Sequence, residues 1–164
     1  MIVSVPIIGT LTNVARTTPE NPLALDDQVC FALAVAARSV VALYKPVLEP
    51  LGLTHPQYLV MLALWESEEL SVRDLSRLLQ LDPGTLSPLL KRLETAGYVR
   101  RARNPHDERA LAVVLTAEGR ALRKRALKVP PAVVERLGLP LSELTDLQRR
   151  LTRVIAAATA EPAS

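Results

Sequence analysis

The sequence is poor in residues that bind metals or close disulfides. It holds one cysteine, Cys30, and two histidines, His55 and His106, in 164 residues. A lone thiol excludes an internal disulfide and a multi-cysteine zinc site, and the two imidazoles suggest no metal cluster. No cofactor or metal is expected. The want of a second cysteine also counts against a thiol peroxidase, which would usually need a resolving thiol to turn over. No Ser/His/acid set and no glycine-rich phosphate loop supports another enzyme, so the chain does not read as one. Aromatic residues make up 3% of the total. That leaves the core to Leu, Val and Ala and points to a mainly helical domain. There is no obvious leader either. Met1–Ala24 has apolar residues but no basic opening and no long uninterrupted apolar run, which makes it a poor signal peptide and too short to span a membrane. It reads as a mobile arm with Thr17–Pro22 as a loop, in a cytoplasmic protein with no membrane partner. The excess of positive charge is small, 20 Lys and Arg against 17 Asp and Glu, for a net +3. Such a balance favours an acidic partner only weakly, and the placement of the charges matters more.

What the sequence does carry is concentrated between Leu70 and Thr116, LSVRDLSRLLQLDPGTLSPLLKRLETAGYVRRARNPHDERALAVVLT. Ser71–Leu79 has apolar residues at Val72, Leu75, Leu78 and Leu79. A second run has Leu86, Leu89, Leu90 and Leu93. Both follow the spacing of a helix with one buried stripe. Between them Asp82-Pro83-Gly84 is a turn and a helix start. The Asp82 carboxylate can accept free amides of the first turn, and Pro83 at the first helical position sacrifices no donor. Ala96-Gly97 closes the second helix. Tyr98–Arg101 and Leu111–Leu115 read as two strands joined by a charged loop. Helix, turn, helix and hairpin make a winged helix-turn-helix, a DNA-binding arrangement. The outward face of the second helix carries Thr85, Ser87, Lys91 and Thr95, with Arg92 at its margin. These groups can reach base edges or phosphates. From Thr85 to Arg103 five Lys and Arg, among them Arg101 and Arg103 of the hairpin, face a single acid, Glu94. Arginine at a wing tip suits a narrow, electronegative minor groove.

At these residues the chain resembles a family. GTLSPLLKRLETAGYVRR followed by NPHDERALAVVLTAEGR is similar to the DNA-binding lobe of the MarR family of bacterial repressors. The pair Asp107-x-Arg109 matches that family's wing signature, in which the Asp braces the wing and the Arg enters the minor groove. The first third, LDDQVCFAL and then LYKPVLEPLGLTHPQYLVMLALWE, is similar to the organic-hydroperoxide repressor branch, OhrR. The resemblance covers Leu25 to Ala157 and implies a homodimer on a palindromic double-stranded operator. Together with the outward face it nominates Thr85, Ser87, Pro88, Lys91, Arg92, Arg101, Arg103, Asp107 and Arg109 as the DNA-contacting set.

Outside the winged helix the pattern is helical. Leu25–Leu51 reads as one long helix with Asp26 as candidate cap and with Pro46 and Pro50 forcing a kink or an early end. It is apolar on much of its circumference and needs more than one neighbour to bury it. In so small a protein, a second subunit is the expected cover. Thr54 and Gln57 form a capping box ahead of the helix Pro56–Glu66, whose Trp65 is expected in the core. Another helix starts at Thr116 and carries Arg120, Arg123, Lys124, Arg125 and Lys128 on its surface. Val129-Pro130-Pro131 reads as an interruption before a weaker pattern from Ala132 to Leu137. Ser142 is a candidate cap for the last helix, with a stripe of Leu144, Leu147, Leu151, Val154, Ile155 and Ala158. The expected organisation is an extension over 1–24 and a single domain over 25–160, with the winged helix at 54–116. By resemblance, helices 25–51 and 117–160 interlock between subunits.

Cys30 is the one residue with obvious redox chemistry. It falls near a helix start, where free amides and the helix dipole favour the thiolate that attacks a peroxide. Alone, a cysteine in an apolar run reads as inert core. The match of Asp26-Asp27-Gln28-Val29-Cys30-Phe31 to the OhrR pattern makes it the expected sensor of an organic hydroperoxide, oxidised first to a sulfenic acid. With no second cysteine in the chain, the next step recruits an external low-molecular-weight thiol or proceeds to higher oxidation. In the family, tyrosine hydroxyls bond the reactive cysteine. Tyr44 matches one of them. It lies fourteen residues after Cys30 on the same expected helix, about 21 Å along the axis, so any bond between them has to cross a dimer. The second tyrosine is replaced by His55, which can donate to a thiolate and, if protonated, would stabilise it further. Tyr58, one turn on, is expected to face the core. The alternative function is a repressor of the same fold that answers to a small aromatic ligand, with Cys30 structural.

Overall fold

The computed structural model describes residues 23–104 and 107–160, with the side chains of Asp26 and of residues 103–111 outside that description. The chain divides into two compact units, Met1–Ser39 and Val40–Ser164. In the first, a 3₁₀ turn at Leu25–Asp27 precedes helix α1, Val29–Leu48, which runs on into the second unit. The long helix therefore starts four residues later than its pattern suggests, and Asp26 lies inside the turn rather than at a cap. Gln28, extended at φ −84° and ψ 110°, separates the two elements.

The second unit is built in chain order from the end of α1, α2 (His55–Ser67), β1 (Glu69–Ser71), α3 (Val72–Leu79), α4 (Pro83–Thr95), β2 (Val99–Asn104), β3 (Asp107–Leu115), α5 (Ala117–Ala126), α6 (Val129–Leu137) and α7 (Leu141–Thr159). Helix α1 continues for two residues past Pro46 and then tightens into a second 3₁₀ turn, Glu49–Leu51, which Gly52 ends in the left-handed region at φ 69°. The start of α2 is fixed as expected, the Thr54 N–H donating to Gln57 Oε1 at 2.8 Å. Ser71 caps α3 by accepting the Asp74 N–H at 3.0 Å, and Thr116 caps α5 by accepting the Gly119 N–H at 3.0 Å. The core of this unit is aliphatic, as the scarcity of aromatics requires. Leu48, Val60, Met61, Leu64, Leu75, Leu86 and Leu93 are fully covered.

The sheet is antiparallel with order β1-β3-β2. Its third strand, β1, escapes a sequence reading because three residues are too few to show a period. The hairpin arms are longer than expected. Arg103, Asn104 and the run from Asp107, read as a charged loop, belong to strands. Two paired strands satisfy each other's backbone whatever their side chains carry, so charge alone does not unzip them. Two further expectations are corrected. Pro130 and Pro131 do not interrupt a helix; they sit in the first turn of α6, where an amide proton is not needed. Ser142 does not cap α7, which begins one residue earlier after Pro140.

Among the described residues the terminal helices leave much of their apolar surface exposed. Helix α7 has no buried residue, and Ile155 on its apolar stripe is 51% exposed. Val29–Leu51, 23 residues of mean hydropathy 1.5, is long and apolar enough by length and composition to cross a membrane, yet little of it is buried.

At the junction of α5 with the hairpin the backbones nearly touch. A Cβ at Gly119 would lie 2.0 Å from the Tyr98 carbonyl oxygen. Trp65 packs beside this point, half-buried, and its Nε1 donates to Gly119 O at 2.8 Å. Gly119→Ala should force the helix off the strand and cost about 2–3 kcal/mol of stability, read as a lowered urea midpoint at unchanged slope. A midpoint equal to wild type would show that the junction yields.

Candidate nucleic-acid interface and sensing site

Helix α4 is placed from both ends. At its start the Thr85 N–H donates to Asp82 Oδ1 at 2.9 Å and the Thr85 hydroxyl to Oδ2 at 2.6 Å. These two bonds, the hydroxyl's first, hold the Asp82 carboxyl below its ordinary value. Along its inner face Leu86, Leu90 and Leu93 are buried and Leu89 is half-buried. Thr85, Ser87, Lys91 and Thr95 are exposed on the outside, as their spacing suggests, and Arg92, expected at the margin, and Pro88 are exposed with them. The structure adds what the spacing cannot give. Ser87 donates its hydroxyl to Pro83 O at 2.7 Å and Thr95 donates to Lys91 O at 2.9 Å. With Thr85 committed to Asp82, all three hydroxyls spend their protons on their own helix and offer lone pairs outward. Donation from this face falls to Lys91 and Arg92, which form no ion pair among the described residues.

The hairpin is tied to α4 by an acid that sequence reading treated only as an opposing charge. Glu94 accepts the Arg101 backbone N–H at 3.2 Å and pairs with its guanidinium at 3.4 Å. Arg101 is therefore not a free cation. Arg103, Asp107 and Arg109 fall on β2 and β3, and their side chains lie outside the described residues.

The expected sensing residues separate into two groups. Tyr44 and His55 are brought together, ring centroids 4.7 Å apart and edge to face at 62°. Tyr58, buried as expected, lies 6.0 Å from Tyr44. His55 stands at the start of α2 and on the wall of a groove of about 530 Å³ whose other walls include Val41, Lys45, Leu53 and Pro56. Burial raises the Tyr44 phenol and lowers the His55 imidazole relative to their ordinary values. At neutral pH His55 is thus the neutral base, with one donor and one acceptor, and the protonated option weakens. Cys30 belongs to the other unit. It is the second residue of α1 and is exposed.

Comparison with known proteins bears on the family and the fold. The family described as transcriptional regulator SarA/Rot matches residues 42–125. The HTH-type transcriptional regulator TtmR of Methylorubrum extorquens is 46% identical over 129 residues, 79% of this chain and 66%, just under two thirds, of that protein. The organic hydroperoxide resistance transcriptional regulator of Bacillus subtilis is 41% identical over 125 residues, 76% of this chain and 83% of that one. The chain belongs to the MarR family of transcriptional regulators. Solved structures agree. Reduced AbfR bound to DNA superposes with TM-score 0.67 at 32% identity, covering 83% of this chain and 95% of that one. A mutant of Escherichia coli MarR complexed with operator DNA superposes with TM-score 0.69 at 26% identity, covering 75% and 90%. Within the MarR family this chain groups with the organic-hydroperoxide branch that its first third resembles.

The depressed Asp82 carboxyl has a testable sign. A group whose folded value lies below its unfolded value stabilises the fold above the unfolded value, 3.8, and stops doing so as pH falls through the folded value. Asp82→Ala should therefore lower the melting temperature at pH 6, and the gap to wild type should close as the pH drops below about 3.8. A gap that persists undiminished in acid would mean that the cap acts through shape and not through charge.

Proposed function

We propose that this MarR-family chain is a homodimeric DNA-binding repressor that leaves its operator when an organic hydroperoxide oxidises Cys30. The observation that carries the sensing half is the Tyr44–His55 pair beside the groove. Two residues eleven positions apart, one near the end of α1 that matches a family tyrosine and one at the start of α2 that replaces the other, meet ring to ring. In this reading each pair receives Cys30 of the other subunit. The thiolate attacks one peroxide oxygen, the O–O bond breaks, and the other oxygen leaves as the alcohol after taking a proton. The sulfenic acid then condenses with an external low-molecular-weight thiol, losing water and forming a mixed disulfide, or is oxidised further. Tyr44, and His55 as a neutral donor, orient the thiolate. AbfR, solved on DNA in reduced and in overoxidized form, is a related fold that joins DNA binding to oxidation, though an overoxidized form that holds DNA is no precedent for release.

The uncovered apolar faces of α1 and α7 support a dimer, since a second copy would remove both from water. In this reading helices 25–51 and 117–160 form the dimer lobe and 54–116 the winged helix. Recognition helix α4 enters the major groove with Thr85, Ser87, Pro88, Lys91 and Arg92. Arg101 and Arg103 follow the backbone, and Arg109, braced by Asp107, reaches the minor groove. The groove beside His55 favours one competing reading, a small aromatic ligand with Cys30 structural.

A gel shift with and without an organic hydroperoxide separates the two. Wild type should be released, and Cys30→Ser should bind equally well and stay bound. Release of Cys30→Ser by peroxide would end the redox reading. A heterodimer with Cys30→Ser in one chain and Tyr44→Phe in the other tests the crossing. It should oxidise its remaining thiol at the wild-type rate if the pair serves the opposite subunit, and at the rate of the Tyr44→Phe homodimer if it does not.

The α4 face has its own test. Lys91→Ala and Arg92→Ala should each weaken operator binding at low salt, and each should reduce the slope of log K against log salt by about 1 for a lost phosphate contact. A slope unchanged in both would remove these side chains from the phosphate backbone.

A further inference from the structure

The 3₁₀ turn at Glu49–Leu51 is held from two sides. On one, Glu49 and the following Gly52 and Leu53 line the groove beside His55. On the other, two of its carbonyls are taken by side chains from far along the sequence. Tyr98 Oη donates to Leu51 O at 3.2 Å, and Arg125 Nη2 donates to Pro50 O. Carbonyls at a helix end have no intrahelical partner, so an outside donor there governs how the end is held.

Tyr98 stands on a fixed foot. Its N–H donates to Leu93 O at 3.0 Å, which ties it to the end of α4. Its carbonyl accepts the Thr116 N–H at 3.1 Å and the Thr116 hydroxyl at 3.2 Å. The close approach of Gly119 leaves that carbonyl no room to shift. The next residue begins β2. The ring is half-buried against the core, and its hydroxyl reaches the turn just beside Gly52, where a Cβ would come within 3.8 Å. A side chain rooted rigidly at the junction of α4 and the hairpin thus ends on the turn whose Glu49, with Gly52 and Leu53, lines the groove.

We propose that the Tyr98 hydroxyl couples the groove to the wing. A change in the shape of the Glu49–Leu51 turn passes through the Tyr98–Leu51 hydrogen bond to the junction of α4 and β2, and so to the surface that meets DNA. The inference rests on the DNA-binding reading above and deepens it by naming a relay. Tyr98 is a positioning residue; it acts through the turn and the hairpin. Because coupling is reciprocal, DNA held by α4 and the hairpin must in turn steady the turn. One hydrogen bond between uncharged groups supports a coupling of roughly 2- to 10-fold.

Hydrogen exchange tests it without any peroxide. The Gly52 and Leu53 amides close on Glu49 O at 3.0 Å and Leu48 O at 3.4 Å and report on the turn. They would be followed with and without a duplex that the protein selects from a random-sequence pool, in wild type and in Tyr98→Phe, which keeps the ring. The duplex should slow both amides by roughly 2- to 10-fold in wild type. In Tyr98→Phe that slowing should vanish while the duplex still protects α4 and the melting temperature stays near wild type. Equal slowing in both proteins would overturn the relay. A second arm adds an organic hydroperoxide. Cys30 should be oxidised equally fast in both proteins, but Tyr98→Phe should hold its duplex at peroxide levels that release wild type. If peroxide fails to release even wild type, the redox reading falls, and the exchange comparison still decides the relay. If no duplex is selected, the DNA-binding reading falls and takes the relay with it.

Discussion

The second unit depends on a contact that has no side chain on one of its partners. Where α5 meets the foot of the hairpin, Gly119 lets helix backbone lie against strand backbone, and Thr116 bonds Tyr98 and Gly97 across the same gap. Four elements converge there. Helix α4 arrives through Leu93, β2 leaves through Val99, α5 starts at Ala117, and α2 reaches in through Trp65. Any side chain at Gly119 would separate them. The orientation of the hairpin on the helix-turn-helix is thus set by excluded volume and a few directed hydrogen bonds more than by apolar area.

That distinction explains which parts of the molecule could be read from the sequence. The cap at Asp82, the box at Thr54, the leucine stripe of α4 and the exposure of Thr85, Ser87, Lys91 and Arg92 all follow from residues within a turn or two of each other. Periodicity and capping chemistry are local, and locality is what a sequence displays. The same local reasoning misjudged Pro130 and Pro131, because a proline looks alike as a breaker and as a first-turn residue. Asp26 and Ser142 had the right chemistry for caps but stood on the wrong side of a boundary by a few residues.

What stayed hidden was long-range. Strand β1 exists only because β3 presents a free edge to it. Glu94 looked like one acid among bases, yet it binds a residue seven positions on in another element. Tyr98 looked like one more apolar residue at a strand start. Tyr44 and His55 are only eleven positions apart, but their meeting depends on the turn between α1 and α2, which no periodicity displays; only likeness to a family suggested that they serve together. Helix α7 shows a limit of another kind. Its stripe was legible, but a stripe does not name its partner, and among the described residues nothing fully buries it.

The Glu94–Arg101 pair has a consequence for how the hairpin would handle a polyanion. A phosphate that approaches Arg101 meets a guanidinium already engaged by a carboxylate at 3.4 Å, so it must displace that acid before it can bind. The exchange swaps one anion for another, so the energy of the Glu94 pair is subtracted from that of the phosphate contact, by at most about 1 kcal/mol for an exposed pair of this kind. Glu94 therefore acts as a resident competitor. It keeps the cation extended and pre-aimed while lowering its grip on any one phosphate. In the repressor reading, contacts that are well placed and slightly weakened would suit release on a signal, and Glu94 would make Arg101 one of them.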